Sequence, residues 1–455
     1  MNLGVKIIVW FCRVLVGGLF IFSGLIKAND SLGFSYKLEE YFVEFAKIFS
    51  ENGLGFLATP MEWLEVIALP LAMFIVVLEI VLGILTITGT KMKQVSFLLL
   101  ALIVFFTFLT FASWKWELVK SCGCFGDFIP LTPFQSFIKD LILLVLIIPI
   151  VLASRKIKSF LTPIGDRLTI FSSFTVFFLF TFYAYNHLPY GDHRAYKVGN
   201  HLLQEMSIQP GNPLILYKLE NIDNGAITEM ANYPDDYQNW KPYTNPEDSS
   251  EKYFRSVDEK LTIKHIKVKS TGQLNRVTEI PVELSDDWEL IKEESALFTP
   301  DIDPKIYDLT AESIEDNFEN KIGEMLNDTN YRLVLVIRNL DFFGDFNQAN
   351  DGWHFKKSSE AEKYYKKFQS LYYDFKKEHK VYTTILTSEN DINKIDAFKQ
   401  AMETRVKFYF CSDRELKTMI RSSPGLFLWK KDLVLGKWHY YDFPTFEEIK
   451  DDIIN

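Results

Sequence analysis

Polar and apolar positions are unevenly distributed along the chain, and the imbalance predicts two kinds of structure. Five apolar runs crowd the first two fifths, each close to the roughly 20 residues that a membrane span needs. They are "VKIIVWFCRVLVGGLFIFSGLIK" at 5–27, then about 64–88, 95–114, 137–154 and 168–185. The first is longer than the apolar core of a signal peptide, and no small-residue cleavage site follows it, so it reads as a span. Between the first two runs, "SYKLEEYFVEFAKIF" sets Tyr36, Tyr41, Phe42, Phe45 and Phe49 near one stripe, with Glu39, Glu40 and Glu44 largely off it. That spacing predicts an amphipathic helix on a membrane interface.

Beyond residue 190 the pattern shortens. "PLILYKLEN" and "AITEMANY" flank "IDNG", and "KLTIKHIKVK" and "NRVTEIPVEL" flank "STGQ". Each set reads as a strand pair joined by a turn. From about 300 strands alternate with helices. "YRLVLVI" is a buried strand, 359–379 an amphipathic helix, "KVYTTILTS" a strand, "DINKIDAFKQAM" a helix and "VKFYFCS" a strand. "RELKTMIRSS" is then a helix before Pro424, "GLFLWK" and "LVLGKWHYY" a terminal strand pair, and "TFEEIKDDI" a last helix. The alternation predicts an α/β layer.

Charge orients the spans. Lys6 precedes the first, Lys91 and Lys93 lie between the second and third, and Arg155, Lys156, Lys158 and Arg167 lie between the fourth and fifth. Asp30, Glu39, Glu40, Glu44 and Glu51 follow the first span with only two lysines among them. Short basic loops stay in the cytoplasm. The N-terminus is therefore expected inside and everything after about Leu188 outside. Residues 188–455 carry 35 Lys and Arg against 47 Asp and Glu. An acidic exported part excludes a nucleic-acid partner, because phosphate binding needs a basic face.

Only four cysteines occur in 455 residues, too few for a disulfide-stapled scaffold. Two of them, Cys122 and Cys124, stand in "SCGCFGDF" just beyond the third span, on the expected outer side. A disulfide can persist there. Closed across Gly123, the ring would be small, strained and readily exchanged. The spacing leaves three readings open: a redox-active pair, two interfacial cysteines without chemistry, or half of a soft-metal site. Cys12, deep in the first span, reads as a small packing residue.

Two ionisable residues lie well inside spans, Arg13 in the first and Glu79 in the second. Counted from the cytoplasmic ends, their depths differ by only about 5 Å, which predicts an intramembrane structural pair. Lys139 and Asp140, near the outer end of the fourth span, need no special account on this reading. Asp341, Asp345 and Asp351 fit no calcium-loop spacing and read as a solvated turn.

"RVLVGGLFIFSGLIKANDSLGFSYKLEEYF" resembles the first helix and following loop of the DoxX family of bacterial membrane proteins, and "CGCFGD" resembles the signature of MauE, the methylamine-utilisation branch. The resemblance covers about residues 8–155. It implies a four-helix membrane bundle and a role in forming or maintaining disulfides in extracytoplasmic partners; Cys122 and Cys124 match its motif cysteines, and their spacing and expected outer position make them the candidate catalytic pair. Membrane disulfide-forming enzymes of similar architecture pass electrons to a quinone, which makes quinone the candidate cofactor. They usually carry a second cysteine pair that this sequence lacks. The strand and helix order after residue 300 resembles the thioredoxin fold, with Ser423-Pro424 at the place of that family's cis-proline. The stretch "RNLDFFGDFNQANDGWHF" stands where its Cys-x-x-Cys would be. That departure implies a domain without dithiol exchange that could still bind a client at Pro424, with Cys411 a structural residue.

The expected organisation is a four-helix DoxX/MauE-like membrane domain (1–158), a fifth span (159–189), a β-rich extracytoplasmic connection (190–300) and a thioredoxin-like domain (301–455). The expected place is the bacterial inner membrane, with lipid and an exported thiol or client protein as partners and no metal. The expected function is thiol–disulfide redox or maturation of exported proteins. The alternative is a non-enzymatic assembly factor that binds clients through the C-terminal domain.

Overall fold

The computed structural model describes residues 2–119, 125–126, 128–129, 131–207, 214–231, 237–244, 254–257, 261–279, 286–296, 304–349 and 352–454. These form two compact units. One joins Met1–Leu202 to Asp308–Asn455, and the other is Leu203–Tyr307.

Among the described residues, five helices of the first unit are long and apolar enough to cross a membrane. They are α1 (Leu3–Asn29), α4 (Ala68–Thr88), α5 (Met92–Trp116), α6 (Pro133–Ala153) and α7 (Pro163–Asn186). Between α1 and α4 lie α2 (Ser31–Glu51) and α3 (Gly55–Val66). The second span was expected from about Leu64. The chain instead breaks at Ile67, because the ring of Pro70 excludes a helical carbonyl at residue 66. Thr132 caps α6 reciprocally with Gln135, and Thr162 caps α7.

The bundle core runs from Cys12, Val16 and Phe20 on α1 through Val76 and Ile80 on α4 to Leu99 and Ile103 on α5 and Leu143 and Ile147 on α6. Small residues set its closest crossing. A Cβ on Gly17 would lie 2.8 Å from the Gly83 carbonyl oxygen, and one on Gly83 would lie 2.7 Å from that of Gly17. Only hydrogen fits there, so α1 and α4 pack backbone to backbone. The stripe expected to lie on a membrane interface instead enters the bundle: α2 buries Tyr41, Phe42 and Phe45, with Leu38, in the same core. Tyr36 does not join that stripe and turns to a different partner, described below. Large apolar side chains along α7, such as Phe171, Val176, Leu179 and Phe182, face outward, as lipid contact requires.

The C-terminal part of this unit holds β1 (Tyr331–Ile337), α8 (Ser359–Glu378), β2 (Val381–Thr387), α9 (Ile392–Ala401), β3 (Lys407–Phe410), α10 (Asp413–Met419), β4 (Gly425–Lys430), β5 (Leu433–His439) and α11 (Phe446–Ile449). Their sheet order is β5-β4-β1-β2-β3, extended past β3 by Glu312–Ser313 and Glu319–Asn320. β1, β2 and β3 run parallel; β4 and β5 run antiparallel to their neighbours. β1 is the central strand, which explains its uninterrupted apolar run. The Ser423-Pro424 peptide bond is cis. After β1 the chain forms a hairpin, Gly344–Ala349 against Gly352–Lys357, where no element was expected.

Residues 190–202 were expected in the β-rich connection, yet they pack within the first unit. Asp192 accepts from Lys437 at 2.7 Å, and Leu202 is buried. The second unit is an antiparallel sheet of short strands. Leu214–Asn221 pairs with Ile227–Met230, and Leu261–Val268 with Leu274–Val277, as the turn signals predict. Leu219, Met230, Ile266 and Val277 form its core.

Candidate functional site

At the end of the bundle where α1 finishes, four charged side chains surround an internal cavity. Lys27 comes from α1, Glu79 from α4, and Lys139 and Asp140 from α6. Lys27 Nζ donates to Glu79 Oε1 at 2.5 Å, and the two side chains are only 4% and 3% exposed. The aromatic faces of Phe106 and Phe34 lie 4.4 and 5.1 Å from the ammonium. Across the cavity, Asp140 accepts from Thr110 Oγ1 at 3.0 Å and pairs with Lys139 at 2.9 Å. Phe125, the residue after Cys124 in the chain, completes the lining, with Lys139 5.0 Å from its ring. Phe22 of α1 packs against both Phe125 and Phe128.

The cavity offers about 30 Å³ to the centre of a water molecule, enough for about two waters. Glu79 Oε2 is buried and has no hydrogen-bond partner among the described residues. A carboxylate oxygen of this kind, beside room for water, is a place where a proton can be taken up or released.

The expected Arg13–Glu79 pair does not form. Arg13 donates instead to the carbonyls of Thr86 and Ile87, at 2.9 and 2.8 Å, and satisfies backbone acceptors that the end of α4 leaves open. Counting depth from span ends missed the Gly17–Gly83 crossing, which sets the register between α1 and α4. It also missed that helical side chains lean toward the N-terminus, which lets a lysine near the end of α1 reach back into the bundle. Lys139 and Asp140, which looked unremarkable, belong to the site. Cys122 and Cys124 lie outside the described residues. Cys12 is buried in the core.

The C-terminal domain meets the bundle at α2. Asp30 accepts from Gly33 N at 2.9 Å, capping α2, and from Arg421 Nε at 2.9 and 3.0 Å. Burial alone would raise its carboxyl, but the charges of Arg421 and Arg194 and these hydrogen bonds hold it below the usual range. Tyr36 Oη accepts from Arg338 Nη1 at 2.6 Å, and Arg338, Lys417 and Arg421 all stand within 5.5 Å of its ring. Burial pushes the phenol up to about 12 even though Arg338 and Arg421 pull the other way. Lys417 reaches Glu39 at 3.4 Å. The sequence signal for this contact was the basic "RELKTMIR" set against the acidic segment after α1.

Beside this contact, at the C-terminal ends of β1 and β2, lies an open cleft of about 620 Å³ lined by Arg338, Ser388, Glu389, Lys394, Asp413 and Ser423, among others. Pro424 itself is buried. The surface it was expected to offer is that of Ser423, whose Oγ accepts from Arg338 N at 3.0 Å. Asp341 lies on the cleft and pairs with Lys394 at 3.6 Å. Among the described residues no cluster of His, Cys, Asp and Glu could hold a metal. Cys411 is fully buried beyond β3, and burial pushes its thiol up to about 12.

Five membrane-length helices with charged groups buried between them define a multi-pass membrane protein. Residues 5–153 match the family model of methylamine utilisation protein MauE, a region that contains the whole cavity. Protein TlpB of Flavobacterium psychrophilum is 29% identical over 144 residues, 30% of this chain and 34% of that protein. The chain therefore spans about a third of the length of that curated relative. No solved structure matches the chain.

Proposed function

We propose that the protein is an inner-membrane thiol–disulfide or maturation factor whose Cys122 and Cys124 exchange electrons with an exported thiol protein. One observation carries the proposal. Phe125, directly after the Cys-Gly-Cys stretch, lines the buried cavity of Lys27, Glu79, Lys139 and Asp140 inside the region similar to MauE. Phe125 thus ties the chain immediately after the stretch to a cavity that holds the unpartnered Glu79 carboxylate oxygen, which supports the reading because dithiol chemistry has to move protons along with electrons. The basic segments put the N-terminus in the cytoplasm and the C-terminal domain outside. Its strand order, its mix of parallel and antiparallel pairs and its cis-proline support reading that domain as thioredoxin-like. With Cys411 buried and hard to ionise, it serves in binding rather than exchange. The cavity, at about 30 Å³ among the described residues, is too small to hold a quinone ring.

The test is a covalent trap. Cells carrying Cys122→Ser or Cys124→Ser should accumulate a discrete adduct of this protein that reductant releases. Absence of any adduct, with full function of the double Ser variant, would reject redox chemistry. The thiol-free cleft beside Ser423 would then favour a second reading, a membrane-anchored assembly factor that binds clients there.

A further inference from the structure

The opposite end of the bundle carries a second site that the redox proposal does not use. Lys6, Trp10 and Arg13 of α1 face Lys156, Ile157 and Lys158 of the link between α6 and α7 across an open cleft of about 590 Å³. Four cations line it and no carboxylate does. Among the described residues, Lys6, Lys156 and Lys158 take part in no ion pair, and Arg13 donates only to main-chain carbonyls. Like charges gathered at the edge of a low-dielectric region repel one another unless an anion joins them.

We infer that this cleft binds the headgroup of an anionic phospholipid, with the phosphate diester held by Lys6, Lys156 and Lys158 and by Arg13 deeper in. Three observations choose a lipid over a soluble anion. The cleft opens where α1, α6 and α7 begin or end, at the level of a headgroup layer. Its walls are mixed, with Ile157 and Trp10 among the cations, and Trp10 is 62% exposed on the flank of α1, where interfacial tryptophans sit. Arg13 lies ten residues past the start of α1, about 15 Å along the helix. The row of cations therefore runs from the membrane edge inward. Arg13 is pre-set for the role, because its bonds to the Thr86 and Ile87 carbonyls fix the guanidinium.

The test uses the full chain, purified in detergent and examined by native mass spectrometry. It is offered phosphatidylglycerol, phosphatidylcholine with the same acyl chains, or inorganic phosphate alone. Phosphatidylglycerol should be retained in preference to phosphatidylcholine. The K6A/K156A/K158A variant should bind it about tenfold more weakly or worse. The control K91A/K93A/R167A removes three exposed charges of the same sign outside the cleft and should bind it as the unaltered chain does. All these positions are exposed, so folding is not at stake. Equal loss in both variants, or no preference between the two lipids, would overturn the inference. Saturation by inorganic phosphate without lipid would overturn the lipid assignment in favour of free phosphate.

Discussion

Lys27 and Glu79 lie 52 residues apart in sequence and meet at 2.5 Å in the interior of the bundle. Removing either partner leaves the other buried and uncompensated, which costs roughly 3 kcal/mol or more. Lys27→Met or Glu79→Leu should each lower the thermal midpoint of the detergent-purified protein clearly. The double variant should recover most of that loss. Additive losses in the double-mutant cycle would show that the two side chains are not coupled.

The crossing of α1 and α4 depends on hydrogen at Gly17 and Gly83. Gly83→Ala would push a methyl group against the Gly17 carbonyl and should cost about 1–3 kcal/mol. Gly18→Ala, whose Cβ would meet nothing within 4 Å, should be neutral or slightly stabilising. Thermal unfolding of the two variants side by side decides the point, and equal effects would contradict the close crossing.

Docking of the C-terminal domain on α2 should depend on acid. In the docked state Asp30 is held below the ordinary carboxyl pKa of about 3.9. The docked state therefore binds fewer protons than the separated state. The contribution is complete above that ordinary value and fades as pH falls toward the docked one. Asp30→Asn keeps the cap on α2 but loses the charge, and should weaken docking by about 2 kcal/mol at neutral pH. Spin labels at exposed positions 47 and 414 should report one distance at pH 7 and a broader, longer distribution below about pH 4. An unchanged distribution through acid would remove Asp30–Arg421 as the clasp.

Cys411 should be inert in the native protein. With its thiol pushed up to about 12, only about one part in ten thousand is thiolate at pH 8. In a Cys122→Ser/Cys124→Ser background, iodoacetamide should label Cys411 only after unfolding. The same variant should not speed insulin reduction by dithiothreitol. Rapid native labelling would show Cys411 to be a reactive thiol after all.

Orientation is open to direct measurement. A phosphatase active only in the periplasm, fused after Asn455, should be active, and a reporter fluorescent only in the cytoplasm should stay dark. The reverse pattern would invert the membrane arrangement and take Cys122 and Cys124 out of an oxidising compartment.

The number and approximate places of the membrane helices were legible in the sequence, because apolarity over a span's length is a local property that the bilayer imposes on each helix separately. The alternation of strands and helices after residue 300, the two hairpins of the second unit and the place of Pro424 were legible for the same reason: periodicity and turn chemistry act over a few residues. The partners of buried charges were not. Whether Glu79 meets Arg13 or Lys27 is decided by the register of two helices, and that register is set by Gly17 and Gly83, each about one helical turn from Arg13 or Glu79 along its own helix. The cavity under Phe125 has its lining spread across four helices, so no single stretch announces it. Tyr36 looked like one more residue of an apolar stripe until the tertiary structure set three cations around its ring. The sequence determined which segments enter the membrane and which form the α/β layer. Only the tertiary structure decided which charges face one another, because long-range pairing follows from packing geometry, which a linear pattern does not contain.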